Sequence, residues 1–234
     1  MLGLVFAVRN ALHSPVTAGT CYALSFVCDE LDGRFARKFS QCSSFGAVLD
    51  MVTDRVGTMI LLTVLAVVSS DWALMCCTLQ ALDISSHWFQ MYHSMLALEA
   101  DRSHKTAALQ KNPLVILYYR HRLFMGFLCV SCEVLYMTLY AKHWMELRHG
   151  TSSADGHGGE VWRFNFLPYL FVGTRYWRPG PLLYVANLAL PGFFLKQLVN
   201  VLQLKQACEG IVAQDIMSLK HGSSGTSHGM ASAR

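Results

Sequence analysis

Charge is what this sequence has least of. Asp, Glu, Lys and Arg make up 15% of its 234 residues, against 53% hydrophobic residues and a mean hydropathy of +0.32. A soluble domain of this length needs more polar surface, so the composition is that of an integral membrane protein. The formal charge is only +4, and no RNA or DNA motif stands out. A nucleic-acid binder would need a concentrated basic patch, so no nucleic-acid partner is expected. A second cysteine pair is also lacking. Cys129-x-x-Cys132 stands alone, and His149 and His157 are too sparse to complete a zinc site. Nearly all of the eight cysteines fall in apolar runs as small packed residues, and no disulfide framework is implied.

Against this apolar background four aspartates stand at fixed spacings. Asp29 and Asp32 are an i, i+3 pair, and Asp50 and Asp54 an i, i+4 pair, so each pair projects from one face of a helix. Four such carboxylates repel one another unless cations neutralise them. Ligands that are all oxygen suit a hard ion, Mg2+ or Mn2+, and the cluster is large enough for two. Magnesium binds carboxylates together with substrate phosphates, which points to a diphosphate substrate. The residues between agree with that expectation. Gly33, Gly46 and Ala36 leave the backbone open to close approach, and Arg37 offers a bidentate fork to phosphate oxygens. Ser43, at the turn, adds a hydroxyl for the same ligand.

The pattern Asp29-x2-Asp32-Gly33-x2-Ala36-Arg37-x8-Gly46-x3-Asp50-x3-Asp54 resembles the signature of the CDP-alcohol phosphotransferases and matches every fixed position. Asp83-Ile-Ser-Ser86-His87-Trp88, Ser103-His104-Lys105 and Glu133-Val-Leu-Tyr136 look like the eukaryotic branch of that family that uses inositol. The resemblance implies an all-α, polytopic transmembrane bundle of about six helices. It also implies transfer of the phosphatidyl group from CDP-diacylglycerol to myo-inositol, giving phosphatidylinositol and CMP. Asp29, Asp32, Asp50 and Asp54 would then hold Mg2+ or Mn2+, and Asp54 would also be the general base. Gly33, Arg37 and Ser43 would take the CDP-diacylglycerol. A homodimer, membrane lipids as surroundings and an endoplasmic reticulum location follow from the same resemblance.

Residues 2–8 are apolar but far short of the ~20 needed to cross a bilayer. They lack the basic flank of a signal peptide. Family members carry more chain before this point, so the first helix is expected to be truncated here, as in an incomplete gene model. Residues 16–28 are rich in small residues and deliver the chain to Asp29, and a hydrophilic turn over 38–44 leads to a second apolar run over 52–68. Further spans are expected over 72–98, 114–140 and 181–201, the last kinked at Pro191. The span over 72–98 is interrupted by Asp83, Ser85, Ser86, His87 and His93. Polar residues there mark either a site or groups that satisfy one another between helices. Tyr118 to Arg122 is either a phosphate or inositol contact or an interfacial belt. Glu133 needs a partner, for which Lys196 is a candidate. Residues 149–160 read as an exposed loop, 162–177 as an aromatic interfacial stretch, 1–220 as the catalytic domain and 221–234 as a disordered tail.

Most of the basic residues, among them Arg34, Arg37, Lys38, Arg55, Arg120 and Arg122, fall on the face that carries the aspartates. The positive-inside rule puts that face in the cytoplasm. Two other readings stay open. One is a family member with another acceptor, such as glycerol 3-phosphate, choline or ethanolamine, or a cardiolipin synthase. The other is a non-catalytic membrane protein of the same fold, which predicts loss of a motif aspartate. None is lost.

Overall fold

The computed structural model describes residues 2–102, 112–150 and 181–229. Among these the chain forms seven α-helices and no strand: α1 (Leu2–Asn10), α2 (Pro15–Lys38), α3 (Ser44–Val68), α4 (Ala73–Arg102), α5 (Pro113–Arg120), α6 (Arg122–Gly150) and α7 (Pro181–Gly229). A 3-10 turn, Ser70–Trp72, joins α3 to α4. The all-α, membrane-type architecture that the resemblance implies is what the chain adopts. Among the described residues, three stretches are long and apolar enough to cross a membrane, Ser44–Val68, Arg122–Met145 and Tyr184–Leu219. The protein is an integral membrane protein.

The boundaries follow local chemistry. Pro15 opens α2, where its missing N–H is no loss. The helix ends in two bonds, Gln41 N–H to Ala36 O at 2.9 Å and Ser40 N–H to Arg37 O at 3.3 Å, with Ser40 at φ +56°. This is a Schellman closure with serine in the left-handed position that glycine usually takes. Ser43 caps α3, its Oγ accepting the Gly46 N–H at 2.9 Å. Asn112 caps α5 through the Leu114 N–H at 3.0 Å, with Pro113 in the first turn.

One sequence expectation changes. The single span over 114–140 is divided, because His121 is extended and separates α5 from α6. The run Tyr119-Arg120-His121-Arg122 places polar heads in sequence where a continuous apolar helix would need lipid-facing residues, so the first helix stops there. α7 passes through Pro191, and its backbone is helical to Gly229. Ser103 to Lys105 and the stretches over 151–160 and 162–177 lie outside the described residues.

The chain divides into two units, Met1–Ala81 with Phe127–Phe194, and Leu82–Gly126 with Leu195–Arg234. In the first, Leu61, Leu62 and Leu65 of α3 pack with Leu135, Tyr136 and Leu139 of α6 and with Ala189, Leu190 and Phe193 of α7. Gly192 lies directly against Ser131, so a bare backbone lets α7 approach α6. Lipid is as apolar as leucine, so burial alone gives little drive between helices and polar ties fix their register. Tyr140 OH donates to Ala11 O at 2.7 Å, and Gln80 Nε2 donates to Met59 O at 3.2 Å and Thr63 Oγ1 at 3.0 Å. Glu133 on α6 accepts from Tyr22 OH at 2.6 Å and Thr58 Oγ1 at 2.7 Å.

The second unit contains a buried polar network. Lys196 Nζ donates to Asn200 Oδ1 at 2.6 Å and lies 5.0 Å from the centre of the Tyr118 ring. Asn200 Nδ2 donates to Asp83 Oδ1 at 3.4 Å, and Gln203 Nε2 to Ser86 O at 3.3 Å. Asp83, Ser86, Lys196, Asn200 and Gln203 are all buried. Of the two readings of the polar residues in α4, mutual satisfaction between helices accounts for Asp83, while the Ser86 hydroxyl donates within α4 to Asp83 O at 3.0 Å.

Candidate active site

The C-terminal half of α2 and the N-terminal half of α3 form an antiparallel hairpin around the link at residues 39–43. Asp29 lies opposite Thr53, whose Oγ1 is 3.2 Å from Asp29 Oδ1, and the Asp29 and Asp54 carboxyl groups lie within hydrogen-bond reach. Asp50 lies within electrostatic reach of both Asp29 and Asp32. The hairpin therefore brings the acids of the two helices to one end of the first unit. Asp29 is half-buried, while Asp32, Asp50 and Asp54 are exposed.

Among the described residues, no group of three or more His, Cys, Asp or Glu side chains stands close enough to hold a metal ion. Four carboxylates of like charge repel, and a cation between them is what would draw them in. In kind the donor set fits a hard divalent ion: carboxylate oxygens only, contributed by both helices.

Around the acids, Gly33 and Arg37 act as one piece. A methyl added at Gly33 would lie 3.3 Å from an Arg37 guanidinium nitrogen, so that guanidinium lies along the bare turn of α2. It also lies within electrostatic reach of Asp50, across the hairpin. Ser43 is the cap of α3, and the cap uses a lone pair of its oxygen, not its proton. Gly46 has a local reason too: a methyl there would come within 3.1 Å of Ser43 Oγ and crowd the cap.

Residues outside the motif complete the site. Arg55 Nη2 is 3.4 Å from Asp54 Oδ2, with the arginine side chain 16% exposed and that of Asp54 43%. An arginine directly after the last motif aspartate, at the head of an apolar run, was a signal the motif alone did not use. Thr53 and Thr58 flank Asp54 as hydroxyls one residue before it and one turn after it. Glu133 was singled out in the sequence as a carboxylate inside an apolar span, with Lys196 as candidate partner; Tyr22 on α2 and Thr58 on α3, which donate to it, were not.

The site is a hairpin of two helices in a membrane protein, with Asp29, Asp32 and Arg37 on one helix and Asp50 and Asp54 on the other. The chain belongs to the CDP-alcohol phosphatidyltransferase family, whose sequence pattern matches residues 1–144. It is 42% identical to CDP-diacylglycerol–inositol 3-phosphatidyltransferase 1 of Arabidopsis thaliana, over 83% of this chain and 77% of that protein. It is 40% identical to the probable CDP-diacylglycerol–inositol 3-phosphatidyltransferase 2 of the same plant, over the same shares. The Homo sapiens CDP-diacylglycerol–inositol 3-phosphatidyltransferase is 39% identical over 61% of this chain and 68% of that protein. No solved structure matches the chain.

Proposed function

We infer that this chain is an enzyme that transfers the phosphatidyl group of CDP-diacylglycerol to myo-inositol, releasing phosphatidylinositol and CMP. The observation that carries the reading is the hairpin, which sets Asp29 against Thr53 and Asp54 and brings Arg37 over Gly33 toward Asp50. The names of the relatives support inositol as acceptor.

The acyl chains of the donor stay in the bilayer while its diphosphate meets the hairpin. The Arg37 guanidinium binds phosphate oxygens as a fork, with Gly33 leaving room for it. The Ser43 hydroxyl, whose proton the cap leaves unused, donates a hydrogen bond to another phosphate oxygen. Asp54 accepts the proton of an inositol hydroxyl. That oxygen attacks the phosphorus that bears the diacylglycerol, and the bond from this phosphorus to the oxygen of CMP breaks. The bonding pair of that bond leaves with CMP. Arg55 holds the Asp54 carboxylate in place. Asp29, Asp32, Asp50 and Asp54 would hold two Mg2+ or Mn2+ ions, which when bound neutralise the diphosphate and the charge that develops on CMP.

The aspartate face lies toward the cytoplasm, where soluble CMP is released, in the endoplasmic reticulum membrane, and the working unit is a homodimer. The test is CMP release from CDP-diacylglycerol by the detergent-solubilised chain, with myo-inositol, glycerol 3-phosphate, serine or no acceptor. Release that depends on inositol is the expected result. Release only with another acceptor keeps the chemistry and overturns the acceptor.

A further inference from the structure

Glu133 lies outside the signature, yet it holds both helices that carry it. It is buried on α6, and each of its oxygens accepts a hydrogen bond from a different helix. Tyr22 on α2 stands seven residues before Asp29, two turns along the same helix. Thr58 on α3 stands four residues after Asp54, on the same face, and its hydroxyl also lies 3.2 Å from the Asp54 carbonyl oxygen. Hydrogen bonds to a carboxylate are roughly twice as strong as neutral ones. Helices in a membrane have no hydrophobic drive toward one another, so such bonds set which residue faces which. A buried carboxylate that merely satisfied itself would need only one neighbouring helix. This one takes a donor from each arm of the acidic hairpin, below the level where Asp29 meets Thr53.

We propose that Glu133 is a positioning residue that fixes the register of α2 against α3, and through it the affinity of the aspartate cluster for its cation. The proposal rests on the reading of Asp29, Asp32, Asp50 and Asp54 as cation ligands. Tyr22 and Thr58 transmit the effect, since each is the contact through which Glu133 reaches one arm. Shifting one arm by a fraction of a turn changes which carboxylates converge, while leaving every ligand chemically intact.

The test is Mn2+ binding to the full chain in detergent, read from the electron paramagnetic resonance signal of free Mn2+, beside the rate of CMP release as a function of Mn2+. The variants are Tyr22→Phe, Thr58→Val and Thr58→Ser, with Glu133→Gln as a fourth. The first two keep shape and remove one donor each, so they stay informative if changes at Glu133 prevent folding. Tyr22→Phe and Thr58→Val are expected to weaken Mn2+ binding roughly tenfold, the scale of lost outer contacts to a metal site. Their rates should recover at saturating Mn2+, and Thr58→Ser should return the affinity toward that of the natural chain. Unchanged Mn2+ affinity in folded Tyr22→Phe and Thr58→Val overturns the proposal, as does a loss of rate that no Mn2+ concentration recovers. Failure of the natural chain itself to bind Mn2+ would instead overturn the cation-ligand reading, and this proposal with it.

Discussion

Asp54 and Asp83 are the same residue in two kinds of surroundings. Asp54 belongs to an exposed acidic hairpin, beside Asp29 and Asp50, with Arg55 at 3.4 Å. Asp83 is buried in a network with Asn200, which in turn accepts from Lys196. The first arrangement concentrates like charge at an open end of the helices, which costs free energy unless something positive arrives. The second disperses its polarity among donors and acceptors of the protein itself. A carboxylate that is left open is available for chemistry, while one tied up inside the bundle serves the bundle. Changes in the hairpin should therefore cost turnover and spare stability, and changes in the network should do the reverse.

The largest effect expected is removal of divalent cations. Chelation should stop CMP release entirely, added Mg2+ or Mn2+ should restore it, and thermal unfolding in detergent should still give a cooperative transition. Asp54→Asn comes next. Loss of a general base is worth about 10²–10⁴ in rate, so kcat should fall by that factor while CDP-diacylglycerol binding stays measurable. Equal loss of binding and rate would make Asp54 a ligand rather than a base.

In the network, Asn200→Ala removes the acceptor of Lys196 and a donor to Asp83. Losing these two buried hydrogen bonds costs about 1–2 kcal/mol, to be read as a lower unfolding temperature, with the rate per folded molecule retained. A fall in rate without a fall in stability would erase the contrast between the two regions. The smallest effect is at the hairpin link. Ser40 holds φ +56°, and Ser40→Gly relieves that strain, against the entropy glycine adds to the unfolded chain, for a net gain of about 0.5 kcal/mol.

The two regions also differ in how far the sequence displayed them. The acidic hairpin was legible because its partners are near in sequence: Asp29 and Thr53 are 24 residues apart, joined by one turn whose cap, Ser43, is itself a motif-stretch residue. Spacing alone carried the pairs onto helix faces. The network was not legible, because Asp83 meets Asn200 and Ser86 meets Gln203 across 117 residues. Tyr22 and Glu133, 111 residues apart, were hidden for the same reason. Local periodicity fixes which face a side chain occupies, but the partner depends on packing. The break at His121 escaped because the apolar runs before Arg120 and after Arg122 read together as one span.

The measurement that bears most directly on the central claim is inositol-dependent CMP release by the natural chain and by Asp54→Asn, assayed together with CDP-diacylglycerol binding. The account predicts release that requires inositol in the natural chain, and in Asp54→Asn bound donor with turnover reduced at least about a hundredfold. Turnover in Asp54→Asn close to that of the natural chain would contradict it, and the base would have to be sought elsewhere.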